Sequence, residues 1–133
     1  MSRVIFIIII SFLPCIELRA QEVLYDYSGR KLTLKDFWIL AAKKEQEGDL
    51  KESTRYLNAA ASYYWEIKNY DSAIWYYNKS ISFNEKIGNE TGITGICNNL
   101  GMIYADMRQY EKSLAYFEKV LKDRKKINEP VSV

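Results

Sequence analysis

The chain has 133 residues with 19 Lys and Arg against 17 Asp and Glu, a net charge of +2. That length fits one domain, and so small a charge offers no broad field for nucleic acid, an acidic membrane surface or an anionic substrate. The absence of His removes the commonest general base near neutral pH and the commonest metal ligand, so neither a cofactor nor a metal is expected.

The first element is apolar. Arg3 precedes the run Val4 to Phe12, interrupted only by Ser11, then Leu13, Pro14, Cys15 and Ile16. A membrane-spanning helix needs about 20 apolar residues, whereas this run is shorter and Pro14 breaks it ahead of Glu17 and Arg19. Residues 1–20 therefore read as an export signal cut after Ala20, leaving no membrane span in the mature chain. Two alternatives stay open: a lipoprotein signal acylated at Cys15, although Pro14 stands where a small residue is usual, and an uncleaved anchor. With Cys15 removed, Cys97 has no intrachain disulfide partner. Residues 21–32, with Tyr25, Tyr27 and Gly29, form an extended lead-in or a disordered arm.

From Leu32 to Pro130 there is no proline, and apolar residues recur at three- and four-residue spacing. Polar breaks at Glu47-Gly48-Asp49, Lys68-Asn69, Gly88-Asn89-Glu90 and Arg108-Gln109 divide this stretch into predicted helices over 33–46, 50–67, 70–87, 91–107 and 110–127. Breaks this short make consecutive helices antiparallel neighbours. The fold class is all-α: a solenoid of antiparallel helix pairs over 33–127, followed by a tail at 128–133.

Sliding the chain by 40 residues superposes Asn58 on Asn98, Tyr64 on Tyr104, Tyr70 on Tyr110, Tyr76 on Tyr116, Lys79 on Lys119, Lys86 on Lys126 and Ile87 on Ile127. Size is kept elsewhere, with Ala61 on Gly101, Ala73 on Ser113, Ile74 on Leu114, Tyr77 on Phe117 and Ile81 on Leu121. Small residues let helices approach and large ones fill the space between turns, so this pattern is itself a packing constraint. Two repeats follow, about 50–87 and 90–127, preceded by the single helix 33–46.

Cys97, Leu100-Gly101, Tyr104, Tyr110, Ser113, Phe117 and Val120 resemble the tetratricopeptide repeat, as do Leu57, Ala60-Ala61, Tyr64, Tyr70, Ala73, Tyr77 and Ser80 one unit earlier. Cys97 replaces the usual bulky aromatic, Ser113 an Ala and Val120 a smaller residue, and no Pro closes either unit. The usual unit is about 34 residues, and the longer spacing here is similar to that of exported bacterial sensor histidine kinases. The joint Asn84-Glu85-Lys86-Ile87-Gly88-Asn89, then Gly92, is similar to theirs too. The resemblance implies a right-handed superhelix and an exported protein of the bacterial periplasm or envelope. It also implies a non-enzymatic scaffold that binds a protein or peptide in a concave groove, or else the input part of a sensor kinase or transcriptional regulator.

Carried over from the repeat pattern, the groove positions are Arg55, Asn58, Ser62 and Trp65 on one helix and Asn98, Asn99 and Met102 on the next. An Asn amide donates and accepts, so it can satisfy a peptide backbone without choosing its side chains; the alternative is an ordinary solvated or spacing role. The family's carboxylate clamp is not expected, because Arg55 is the one base among these positions and Gly95 sits where another would stand. Trp38, Trp65 and Trp75 recur at helical spacing that matches core packing, and Cys97 reads as a buried, inert thiol. Lys122 to Lys126 reads as a solvated helix end. Tyr110, Leu114, Phe117, Val120 and Leu121 leave an apolar face at the end of the last helix. It marks a longer array, or a surface through which the chain forms a homodimer or docks a partner.

Overall fold

The computed structural model describes residues 24–25 and 31–128. The export signal, its cleavage point, Tyr27, Gly29 and most of the 128–133 tail lie outside the described residues. The chain divides into two compact units, 1–37 and 38–133. In the first, β1 (Leu24–Tyr25) and β2 (Lys31–Leu32) pair antiparallel with Leu24 opposite Leu32. The first unit also holds the start of α1 (Leu34–Gln46), where Thr33 and Asp36 form a capping box: Thr33 N–H donates to Asp36 Oδ2 at 2.6 Å, and Asp36 N–H reaches back to Thr33 Oγ1 at 3.4 Å.

The second unit continues α1 and adds α2 (Leu50–Glu66), α3 (Tyr70–Lys86), α4 (Glu90–Asp106) and α5 (Tyr110–Asn128). The five helices fall within about two residues of their predicted bounds, and they pack pairwise as an all-α solenoid. The pairs α2/α3 and α4/α5 pack more extensively than α3/α4.

One device ends each of the first four helices. Gly48, Lys68, Gly88 and Arg108, twenty residues apart, all have positive φ between 59° and 77°. After α2, Lys68 N–H donates to Trp65 O and Asn69 N–H to Tyr64 O; after α4, Arg108 and Gln109 repeat this toward Ala105 and Tyr104. This is the Schellman arrangement, which satisfies the last helical carbonyls as the chain reverses. The next residue then caps the following helix: Asp49, Asn69 and Asn89 accept from the backbone N–H three residues on. Each 17-residue helix and its three-residue connection thus make a module of twenty, and two modules make the repeat seen in the sequence.

The main core joins Ala61 of α2, Ala73 and Tyr77 of α3, and Ile96, Leu100 and Ile103 of α4. Gly101 is buried under Phe117, whose ring would lie 2.8 Å from an added Cβ, so the small-against-large pairing read from the sequence is a real close approach. A smaller cluster of Ala41, Leu57 and Phe83 seals α1, α2 and α3. Two of the three tryptophans depart from expectation. Trp38 and Trp75 are 39% and 52% exposed. They pack on each other at 5.8 Å, with the Lys79 ammonium 4.8 Å from the Trp38 ring. Helical spacing locates the face of a helix but not whether a further layer covers it, and no described element covers this side of α1 and α3.

Candidate functional site

The residues expected in a groove lie on α2 and α4, and the structure draws several of them together. Tyr77 rises from α3 between these two helices. It is buried, and its hydroxyl meets Ser62 Oγ at 3.0 Å and accepts from Asn99 Nδ2 at 3.2 Å. Burial pushes its phenol above the ordinary value, while the Ser62 and Asn99 hydrogen bonds oppose that shift. Tyr77 is therefore a neutral strut tying α2 to α4 from beneath. A second tie closes the far end of the same face, where Trp65 Nε1 donates to Asp106 Oδ2 at 2.7 Å. Asp106 escaped the sequence reading; an indole N–H in a half-buried position calls for an acceptor, but nothing in the repeat pattern says where it comes from.

The other groove positions are placed differently. Arg55 pairs with Glu52 on its own helix at 3.1 Å. Asn98 contacts Met102 Sδ at 3.8 Å, and Met102 is 44% exposed. Asn58 shares the stripe of Ser62 and Trp65, and its Oδ1 is buried without a hydrogen-bond partner. Such an atom costs about 1–3 kcal/mol relative to a satisfied one. Ser62 and Asn99 thus brace α2 against α4, whereas among the described residues no bond between the two helices runs through Asn58, Asn98 or Met102.

The joint between the repeats also has a structural meaning. Asn84 is buried; its Nδ2 donates to Ser80 O at 2.9 Å, and its Oδ1 accepts from Asn89 Nδ2 at 2.7 Å. Asn89 in turn caps α4 through Gly92 N–H at 3.1 Å. A Cβ on Gly92 would collide with the Asn89 amide and stand 2.7 Å from Asn84 Oδ1. Asn84, Asn89 and Gly92 are one staple across the turn, which accounts for the joint motif read in the sequence.

Among the described residues no group of His, Cys, Asp and Glu could hold a metal ion, and no helix is long and apolar enough to cross a membrane. Cys97 is buried, and burial raises its thiol pKa, with Lys119 opposing and Asp123 and Glu85 adding to the shift. Family models described as tetratricopeptide repeat match residues 54–87 and 94–132, together more than half of the chain. No protein with a curated description matches it.

Proposed function

We propose that this chain, a tetratricopeptide repeat protein, is a scaffold that holds a peptide or protein segment along the face shared by α2 and α4. Repeats of this family are generally interaction modules and not enzymes. The observation that carries the reading is the pair of braces under one face, Tyr77 to Ser62 and Asn99 and Trp65 to Asp106, which hold α2 and α4 side by side with the exposed Met102 on α4. The Asn98 amide can donate to or accept from a bound backbone, and Met102 supplies an adaptable apolar wall. Because Tyr77 and the Trp65–Asp106 bond hold the two helices together, the surface is preorganised and little ordering cost falls on binding.

Peptide display against the folded protein tests this. Enriched peptides should lose about tenfold or more in affinity when Met102→Glu or Asn98→Arg is introduced, and nothing with Lys122→Ala on the last helix. Enrichment that ignores both groove variants sinks the proposal.

A second surface belongs to the same reading. Tyr110, Leu114 and Leu121 on α5 are 66%, 58% and 62% exposed, although their counterparts Tyr70, Ile74 and Ile81 on α3 pack against the core that α4 completes. The occupant that fits is a helix patterned like α4, with aliphatic residues at the places of Ile96, Leu100 and Ile103. Light scattering across concentration separates a second copy from a different helix. A monomer that binds no apolar-surface dye would remove this surface from the proposal. Export, with Gln21 as the first mature residue, rests on residues 1–20 and is checked by N-terminal sequencing of the exported protein. The joint from Asn84 to Gly92 supports an alternative, the input module of a sensor kinase or transcriptional regulator, which coding sequence downstream for a membrane helix and an output domain would favour.

A further inference from the structure

The two repeats differ at one place in a way that leaves room for a ligand. Outside the α2/α4 face, α3, α4 and α5 enclose a half-open crevice of about 440 Å³, walled by Ile81, Ile93, Cys97 and Tyr116. Forty residues earlier the same position is filled: Leu57 stands where Cys97 does and Phe83 where Asp123 does, and both are buried against Ala41. At these two positions the second repeat carries a thiol and a carboxylate in place of a large aliphatic and a large aromatic side chain, and the lining changes also from Ala41 to Ile81, Leu50 to Glu90 and Ser53 to Ile93. Its volume lies within the range of small-molecule sites, about 300–1,000 Å³.

Charge gives the crevice a sign. In the first repeat Lys79 pairs with Glu45 at 3.4 Å and lies over the Phe83 ring. Its counterpart Lys119 is drawn instead to Asp123, the residue that replaces Phe83. The other lysine on the rim, Lys126, stands 3.7 Å from Glu90. Lys119 also feels the Glu85 carboxylate, but no basic group stands within ion-pair distance of Glu85 among the described residues, and three carboxylates, Glu85, Glu90 and Asp123, line the crevice against these two lysines. Cys97 adds no charge, because burial keeps its thiol protonated near neutral pH. The apolar floor includes Tyr116, held flat against Tyr104 at 5.5 Å and 15°.

We infer that this crevice binds a small organic cation, an arylalkylamine whose ring lies on Ile81, Ile93, Cys97 and Tyr116 while its ammonium pairs with Glu85. Ring and charge are both needed: an isolated exposed carboxylate holds an amine only weakly in water, and the apolar walls supply the remainder by removing the ring from water. The site is separate from the α2/α4 face, so it stands or falls independently of peptide binding there.

The test uses tryptamine as probe, with the neutral alcohol analogue tryptophol and the anionic indole-3-acetate as comparisons, followed by amide chemical shifts in the intact protein. Tryptamine should shift the signals around Ile93, Cys97 and Tyr116 saturably. Tryptophol should bind about fivefold more weakly, and indole-3-acetate more weakly still. Glu85→Gln, on an exposed side chain, should bring tryptamine down to the affinity of tryptophol. The double change Cys97→Leu with Asp123→Phe, which installs the residues of the first repeat, should abolish the shifts while helical circular dichroism is retained. The inference is overturned by equal binding of the three probes, by unchanged binding in Glu85→Gln or in a folded double variant, or by no saturable shift at about 10 mM tryptamine.

Discussion

The two repeats share a frame and differ in how completely it is filled. In both, a tyrosine from the first helix of the pair stacks on one from the second: Tyr64 on Tyr76 at 5.3 Å and Tyr104 on Tyr116 at 5.5 Å, each tilted by 15°. Around that constant element the first repeat is closed. Tyr77 bridges α2 and α4, and Leu57 with Phe83 seals the other side. In the second repeat Phe117 is only partly buried over Gly101, and Cys97 with Asp123 leaves a crevice. A repeat therefore needs its backbone frame and its stacked pair everywhere, while the sealing residues can change and leave surfaces to be used.

The largest expected effect comes from removing the side chain on which the contrast rests. Tyr77→Ala should cost about 3–5 kcal/mol, because a fully buried aromatic leaves a cavity and two orphaned partners. Phe117→Ala should cost about half as much or less, since the Phe117 ring is part-exposed. Chemical denaturation of both variants checks the ratio, and equal losses would mean that the second repeat is as tightly sealed as the first.

The polar staple is found at one joint and not at the other. Gly92→Ala should break the contact from Asn89 to Asn84 and leave a buried amide oxygen unpaired, a loss of about 1–3 kcal/mol. The corresponding position in the first repeat is Glu52, where Glu52→Ala should change stability by no more than about 0.5 kcal/mol. Thermal melts of the pair decide whether the joint between repeats is specially reinforced.

Tyr77→Phe is a smaller cut, about 1 kcal/mol at neutral pH. It also changes the alkaline limb. Burial raises the phenols of Tyr76, Tyr77 and Tyr116 above their ordinary value, so the folded chain holds these protons more tightly than the unfolded one. Their contribution is complete below about pH 10 and is lost as pH rises from there through the folded values. The Phe variant should therefore lose less stability than the parent between neutral and strongly alkaline pH, and an unchanged slope would show that Tyr77 does not titrate with unfolding.

The smallest effects lie in the turns. Lys68 and Arg108 hold positive φ within the repeats, where Gly48 and Gly88 stand at the preceding joints. Lys68→Gly and Arg108→Gly should each raise stability by up to about 1 kcal/mol, with relief of the left-handed strain partly offset by the freer unfolded chain. Gly48→Ala and Gly88→Ala should go the other way. Melting temperatures measured on the four variants would sharpen the equivalence of the turns, or break it if the signs do not divide this way.

Much of the architecture was legible because it is local. Apolar spacing and polar breaks of two or three residues act within a turn or two of themselves, so the helix bounds and the forty-residue period could be read directly, and Asp49, Asn69 and Asn89 at those breaks prove to be the helix caps. Size matching of Ala61 with Gly101 and of Tyr77 with Phe117 was legible for the same reason: equal places in a repeat face similar neighbours. The bonds that tie α2 to α4 were not legible, since Ser62 and Asn99 are engaged by a tyrosine of α3, and Trp65 by Asp106 from 41 residues away.

By itself, then, the sequence determined the helices, their turns, their order and the repeat that stacks them, because hydrophobic periodicity and capping are properties of short segments. Only the tertiary structure decided which polar residues of the α2/α4 face are struts between the helices and which are not. It also decided that a crevice lies where Cys97 and Asp123 stand in place of the buried Leu57 and Phe83. Those outcomes depend on what three helices bring to the same few ångströms, and the period of one chain compared with itself contains each residue's place but not its neighbours.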